Sequence, residues 1–355
     1  MKRIVILGST GSIGSQTLDV VRAYPREFQI IGLCAHENTK LFERQVREFQ
    51  PKYVVQTSVS ENPEQALMTL AATPDADLVV NAVSGYAGFM PTYAAVKAGK
   101  TVALANKESL VMAGELIMDL AEKMGAKILP IDSEPSAIWQ CLEGQRSPFE
   151  KIILTASGGP FWKWKHTELE KVTAVQALKH PTWKMGEKVS IDSATLMNKA
   201  FEIIEAHWLF QAPPEKIEVT IHRQSIVHSL VQFSDGNTVA LLSPPDMRIP
   251  ISYALFYPAR AKRAPANLDF SQLQLTFEKP DFSIFQGPKL AYEVLKAGGI
   301  LPAVFCMADE IAVKKFLAGE LSFLGIYDFI KRALDTAANM PLSIEALSEL
   351  PSRLL

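Results

Sequence analysis

At 355 residues the chain is long enough for two or three domains. A hydrophobic content of 48% with 21% charged residues is ordinary for a soluble globular protein, and a net charge of −2 leaves no nucleic-acid footprint. No stretch approaches the ~18 uninterrupted apolar residues of a membrane span. The opening MKRIVILG is too short for the ~7–15-residue core of a signal peptide. Cys34, Cys141 and Cys306 fit no metal spacing or disulfide framework. A cytoplasmic location in a reducing compartment is therefore expected.

Residues 1–131 alternate strand and helix patterns. Strands are expected over 3–7, 28–35, 53–56, 77–83, 101–105 and 127–131, with helices such as 14–23, 41–49, 63–72 and 109–124 between them. Short, continuously apolar strands separated by helices imply a parallel sheet covered on both faces. This predicts an α/β fold with an N-terminal doubly wound, Rossmann-like nucleotide-binding domain.

From residue 132 the pattern changes. A strand over 151–155 runs into Ser157-Gly158-Gly159-Pro160, and Thr167 with Glu170 reads as a capping box. A turn-rich loop follows, His180-Pro181-Thr182-Trp183-Lys184-Met185-Gly186. Strands over 218–233 and 238–242 are joined at Asp235-Gly236, a hairpin signal. A central α+β domain with antiparallel strands is expected. A stretch from 257 with prolines, basic residues and no clear period reads as a linker, and helical patterns over 289–297, 302–317 and 327–337 predict a C-terminal helical domain. The expected domains are thus 1–131, 132–256, a linker over 257–285, and 286–355.

Several motifs carry chemistry. Gly8-Ser9-Thr10-Gly11-Ser12-Ile13-Gly14 follows the first strand and opens the first helix, where backbone N–H groups and the helix dipole suit a pyrophosphate. After the second strand, Glu37 suits the ribose hydroxyl of NAD, whereas His36, Lys40 and Arg44 suit the 2′-phosphate of NADP. Ala105-Asn106-Lys107-Glu108-Ser109 ends the fifth strand, which puts Lys107 toward a cofactor crevice. Asp132-Ser133-Glu134 follows the sixth strand and offers hard oxygen ligands suited to Mg²⁺ or Mn²⁺, or else an acidic helix cap.

One helix is expected over 191–210, and 11 of the 17 residues over 194–210 are apolar. At ~100° per residue, Thr195, Asn198, Lys199, Glu202 and Glu205 share about a third of its circle. So apolar a helix is buried on most sides, and its polar stripe then faces a cavity. Asn, Lys and two Glu there suit a metal ion, a phosphate or both, with Glu202 a third carboxylate beside Asp132 and Glu134. The alternative is a solvated face with a Lys199–Glu202 pair. Ser193 near the helix start and Ser157 in the glycine turn suit a phosphate as well, or serve only as caps.

Together these blocks resemble the 1-deoxy-D-xylulose 5-phosphate reductoisomerase family along the whole chain. GSTGSIG, ANKESL, PIDSE, TASGGPF, KHPTWKMG, DSATLMNKAFE and SPPDMRIPI occur in that family's order. The resemblance implies NADPH, one divalent cation (Mg²⁺ or Mn²⁺), a phosphorylated ketose substrate and a homodimer. It implies Asp132, Glu134 and Glu202 as metal ligands, and Ser157, Ser193, Asn198 and Lys199 as the phosphate site. Lys107 and Ser133 match residues at the reacting end of the substrate, and Glu205 a carboxylate beside the metal. Lys107, Glu134 and Glu205 are the expected catalytic residues.

His180, Trp183 and Met185 match a flap that closes over substrate, and Pro245, Asp246 and Met247 a bordering loop. Gly8, Thr10, Gly11, Ser12 and Ile13 match the pyrophosphate loop. His36, Asn38, Asn106, Lys107, Glu108 and Gly186 join them as expected cofactor contacts. Two departures stand out: Pro135 where many relatives carry His, and His36-Glu37 where many carry Gly and a basic residue. The implied reaction rearranges 1-deoxy-D-xylulose 5-phosphate, by retro-aldol/aldol or α-ketol shift, and reduces the aldehyde to 2-C-methyl-D-erythritol 4-phosphate. The rival readings are a non-catalytic NAD(P)- and metal-binding sensor, and another nucleotide-linked aldehyde oxidoreductase using Cys141.

Overall fold

The computed structural model describes residues 1–37, 39–180, 183, 185–337 and 341–354. Two compact units emerge: residues 1–110, 114–136 and 246–266 form the first, and residues 111–113, 137–245 and 267–355 the second.

The first unit holds β1 (Lys2–Leu7), α1 (Ser12–Ala23), β2 (Phe28–Ala35), α2 (Lys40–Phe49), β3 (Tyr53–Gln56), α3 (Pro63–Ala71), β4 (Leu78–Asn81), α4 (Phe89–Lys97), β5 (Thr101–Leu104), most of α5 (Glu108–Met124), β6 (Ile128–Pro130) and the start of α6 (Ser133–Leu142). The strands pair in parallel in the order β3-β2-β1-β4-β5-β6. The order reverses between β1 and β4, and ligands of such sheets bind beyond the carboxyl ends of the strands at that reversal. Burial explains the apolar runs: Ile4, Val5, Ile6, Leu7, Leu33, Val80, Val102 and Leu104 are fully enclosed. Helices cover both faces of a doubly wound sheet, so its central strands need no polar side.

The second unit contains β7 (Phe149–Ala156), short helices α7 (His166–Leu169) and α8 (Ala174–Ala177), then α9 (Glu187–Ala194), α10 (Met197–Phe210), β8 (Ile217–Ile221), β9 (Val227–Phe233) and β10 (Thr238–Leu242). Helix α11 (Arg248–Phe256) packs in the first unit against α1, β5 and β6. Helices α12 (Gly287–Ala297), α13 (Leu301–Leu317), α14 (Gly325–Ala337) and α15 (Ile344–Leu354) complete the second unit, α12 against α10 and α13 against α9. Among the described residues no helix is long and apolar enough to cross a membrane.

Four expectations for this unit are corrected. Its sheet, ordered β10-β9-β7-β8, is mixed rather than antiparallel, because β8 runs parallel to β7. The chain leaves β7 at Ala156, passes through α7–α10 and crosses back to the end where β7 began before entering β8. The single strand expected over 218–233 is two, β8 and β9. The His222 ring intervenes, with Nε2 accepting the N–H groups of Ile226 and Val227 at 3.2 and 3.1 Å.

The expected capping box at Thr167 and Glu170 is absent, since Thr167 lies inside α7. Reciprocal capping occurs instead between Thr173 and Gln176, which open α8. The helix over 191–210 is also two helices. Leu196 takes a left-handed φ of 55°, and the Thr195 carbonyl left outside the break accepts the Tyr327 hydroxyl at 2.7 Å. Thr195 therefore closes α9 and does not share a helix with Asn198.

Candidate active site

In the first unit the glycine loop joins β1 to α1 at the sheet's reversal. Gly8 has φ +80°, and a Cβ on it would stand 2.6 Å from the Ala82 carbonyl oxygen. A Cβ on Gly14 would come within 2.2 Å of the Gly8 oxygen, so strand and helix close up only on glycine. No side chain caps α1, and its first turn has no acidic residue. Gly11 and Ser12 are exposed, and Thr10 and Ile13 half-buried. The α1 N-terminus thus presents N–H groups and positive dipole with no carboxylate in its own first turn.

Gln45 of α2, missed in the sequence, fastens this loop. Its amide donates to the Ser9 carbonyl at 3.0 Å and accepts the Ser9 hydroxyl at 2.8 Å, with both residues buried. His36 and Glu37 are exposed beyond β2, with His36 Nδ1 3.0 Å from the Thr57 hydroxyl. Lys40 and Arg44 are exposed on α2. Asn38 lies outside the described residues.

The segment after β5 is braced. Asn106 donates to the carbonyls of Val83 and Gly85, both at 2.8 Å, and to Glu108 at 3.1 Å. Glu108 accepts the Gly85 N–H at 3.3 Å, and both side chains are buried. Between them Lys107 meets Asp132 in an ion pair. The pairing follows from register: Leu104 faces Pro130 on neighbouring parallel strands, and both segments continue past the carboxyl end of the sheet. Ser133 and Glu134 open α6, with the Ser133 hydroxyl donating to Glu134 at 2.5 Å. Pro135 is buried behind them.

In the second unit the break at Leu196 separates α10 from Ser193, which sits in the last turn of α9 rather than at a helix start. Asn198 and Lys199 both donate to Glu202, one to each oxygen, Asn198 at 2.6 Å. Lys199 is 3% exposed and Glu202 fully enclosed. Glu205, one turn on, is also fully buried. A carboxylate so placed depends on its partners, because an unpaired buried charge costs several kcal/mol. The solvated-face alternative for this stripe is thereby excluded. Upstream, Lys188 of α9 bridges Asp192 at 2.6 Å and Asp309 of α13 at 2.8 Å, anchoring the helix that carries Ser193.

Beyond β7, Ser157 meets the His180 ring, Oγ to Nε2 2.9 Å. Nδ1 of that ring accepts the Trp183 N–H at 2.8 Å, so its proton resides on Nε2, which donates to Ser157. Burial, then the nearby positive charge of Arg223, pushes the His180 pKa down to about 4. The Trp183 ring lies 6.4 Å from that of His228, Met185 is half-buried, and Gly186 caps α9. Cys141 is 3% exposed, and burial pushes its thiol up to about 11. A thiolate nucleophile needs the opposite environment, so the cysteine-dependent rival loses its central residue.

Comparison with known proteins agrees along the chain. The profile of the 1-deoxy-D-xylulose 5-phosphate reductoisomerase family matches residues 4–114, and profiles of that enzyme's C-terminal domains match 128–210 and 242–353. A 1-deoxy-D-xylulose 5-phosphate reductoisomerase of Thermodesulfovibrio yellowstonii is 48% identical, over 98% of this chain and 95% of its own length. The crystal structure of a DOX-P reductoisomerase in complex with NADPH, fosmidomycin and magnesium superposes with a TM-score of 0.91 at 36% identity, covering 100% of this chain and 96% of that one. The enzyme from Zymomonas mobilis in complex with NADPH gives 0.90 at 38% identity, covering 99% and 97%.

Proposed function

The chain belongs to the 1-deoxy-D-xylulose 5-phosphate reductoisomerase family, and from that premise we propose how its own residues divide the work. The protein is an oxidoreductase and isomerase that converts 1-deoxy-D-xylulose 5-phosphate to 2-C-methyl-D-erythritol 4-phosphate with NADPH and a divalent cation, for isoprenoid precursor synthesis. The observation that carries the assignment of residues is the buried group on α10, where Asn198 and Lys199 share Glu202.

The donor sets fit the two groups the reaction needs. Asp132, Glu134 and Glu202 are hard oxygen donors of the kind Mg²⁺ or Mn²⁺ takes. The uncapped α1 N-terminus behind Gly8 fits a pyrophosphate. When bound, the cation polarises the substrate's carbonyl oxygen and the nicotinamide supplies the hydride. Gly8, Thr10, Gly11, Ser12 and Ile13 cradle the pyrophosphate, with Gln45 keeping the loop in shape. His36, Lys40 and Arg44 receive the 2′-phosphate. Asn106, Glu108 and Gly186 complete the cofactor's surroundings.

Ser157, Ser193, Asn198 and Lys199 hold the substrate's phosphate. That contact is remote from the reacting carbons, so its binding energy serves to orient them. Lys107, kept in place by Asp132, and Ser133 orient the hydroxyl and carbonyl end, and Glu134 and Glu205 order the charge around it. Trp183, Met185 and His180 exclude water from the aldehyde before reduction. Functionally, residues 1–131 serve the cofactor, 132–256 the substrate and cation, and 286–355 support them through the connection at 257–285.

A homodimer is part of this reading, supported by the family and by β10, an edge strand with Val239 exposed. A cytoplasmic location is supported by the free, buried cysteines. Incubation with 1-deoxy-D-xylulose 5-phosphate, NADPH and Mg²⁺, followed by NMR of the product, tests the function. A branched 2-C-methyl skeleton is expected, and recovery of unrearranged ketose would refute it.

A further inference from the structure

The turn between β8 and β9 carries a guanidinium that reaches the Ser157 turn. Arg223 Nη1 donates to the carbonyl oxygens of Ser157 at 2.5 Å and of Gly159 at 2.6 Å. Its guanidinium carbon lies 5.5 Å from the Trp162 ring centroid, and the residue is half-buried. Two carbonyls converge on one nitrogen because Gly158 and Gly159 both take positive φ, 79° and 64°. A Cβ on Gly159 would stand 2.7 Å from the Ser193 carbonyl oxygen, so this turn also presses on the end of α9.

The hydrogen bonds at Ser157 then have one sense. Its Oγ accepts from His180 Nε2–H at 2.9 Å and from the Gly159 N–H at 3.3 Å. Its own proton is the part of the hydroxyl left to donate. We propose that Arg223 is a positioning residue for phosphate binding: by clamping the carbonyls on either side of Gly158, it aims the Ser157 hydroxyl proton at the substrate's phosphate. The proposal rests on the assignment of Ser157 to that phosphate. The charge of Arg223 also opposes protonation of His180, leaving Nδ1 able to accept the Trp183 N–H. One side chain thus holds the turn and favours the imidazole state that turn requires.

Because both bonds run to one nitrogen, an ammonium can replace them and a thioether cannot. Arg223→Met is expected to raise KM for 1-deoxy-D-xylulose 5-phosphate about tenfold or more, as loss of charge-assisted bonds implies. KM for NADPH should stay the same, which a general loss of fold would not allow. Arg223→Lys should recover most of the substrate affinity. Ser157→Ala should raise KM by itself, and the double variant should be no worse than the worse single one.

A normal KM in Arg223→Met beside a raised one in Ser157→Ala overturns the proposal and leaves Ser157 at the phosphate. Additive effects in the double variant overturn it too, and a normal KM in Ser157→Ala removes both assignments. Should Arg223→Met not fold, Arg223→Lys against Arg223→Gln makes the same comparison. Equal KM values in that pair would refute a role for the charge.

Discussion

Lys199→Met removes the ammonium from a carboxylate that has no access to water. Glu202 is fully enclosed and Lys199 is 3% exposed, so solvent screens the pair little. Breaking such a pair by deleting one partner costs about 3–5 kcal/mol. Asn198 still donates to the other Glu202 oxygen at 2.6 Å, which places the expected loss near the lower end, about 3 kcal/mol. Differential scanning calorimetry should show a lower Tm without added metal. Methionine keeps most of the side-chain volume, so little of the loss comes from a cavity.

A second readout has the opposite sign. An ammonium and a divalent cation compete for the Glu202 carboxylate, so the variant should gain more Tm from Mg²⁺ than the parent does. Turnover distinguishes this from simple destabilisation. If Lys199 binds the phosphate as remote binding energy, kcat falls as well as KM rising. An unchanged Tm together with an unchanged Mg²⁺ response would refute the Lys199–Glu202 coupling. A rise in KM alone would refute the orienting role.

Other predictions follow from single observations. Glu202→Gln should weaken Mg²⁺ binding in isothermal titration, and an unaltered titration would take Glu202 out of the ligand set. Gly14→Ala should weaken NADPH binding about tenfold or more, roughly 1.4 kcal/mol, because its methyl group would meet the Gly8 carbonyl at 2.2 Å. NADPH fluorescence would measure this, and parental affinity would show that the loop tolerates the shift. His180, with its pKa lowered to about 4 in the folded protein, binds its proton less readily than in the unfolded chain. Its contribution is therefore fully present above about pH 6.5 and is lost as pH falls toward 4. Tm in that window should fall less in His180→Gln than in the parent, and parallel profiles would contradict the neutral state.

The parallel sheet was legible in the sequence because strands enclosed on both faces are apolar without interruption. Expected and observed bounds coincide for Phe28–Ala35 and Tyr53–Gln56. The Lys107–Asp132 pair was half legible: each residue was placed past a strand end, and their meeting awaited the register of Leu104 with Pro130. The break between α9 and α10 was invisible because Thr195-Leu196-Met197 has no helix-breaking residue. The left-handed turn at Leu196 is maintained from outside, by Tyr327 on the Thr195 carbonyl. Strand direction in the second sheet was hidden for a related reason, since it depends on where the chain returns after α10. Arg223 lay inside what read as one strand, though the polar run His222-Arg223-Gln224-Ser225 was a signal for a turn.

The most direct test is the disappearance of NADPH and, separately, NADH in the presence of 1-deoxy-D-xylulose 5-phosphate and Mg²⁺, before and after EDTA. Turnover with NADPH that EDTA abolishes and Mg²⁺ restores is the expected result. Turnover that survives EDTA would contradict the carboxylate site, and no turnover with either nucleotide would contradict the reaction itself.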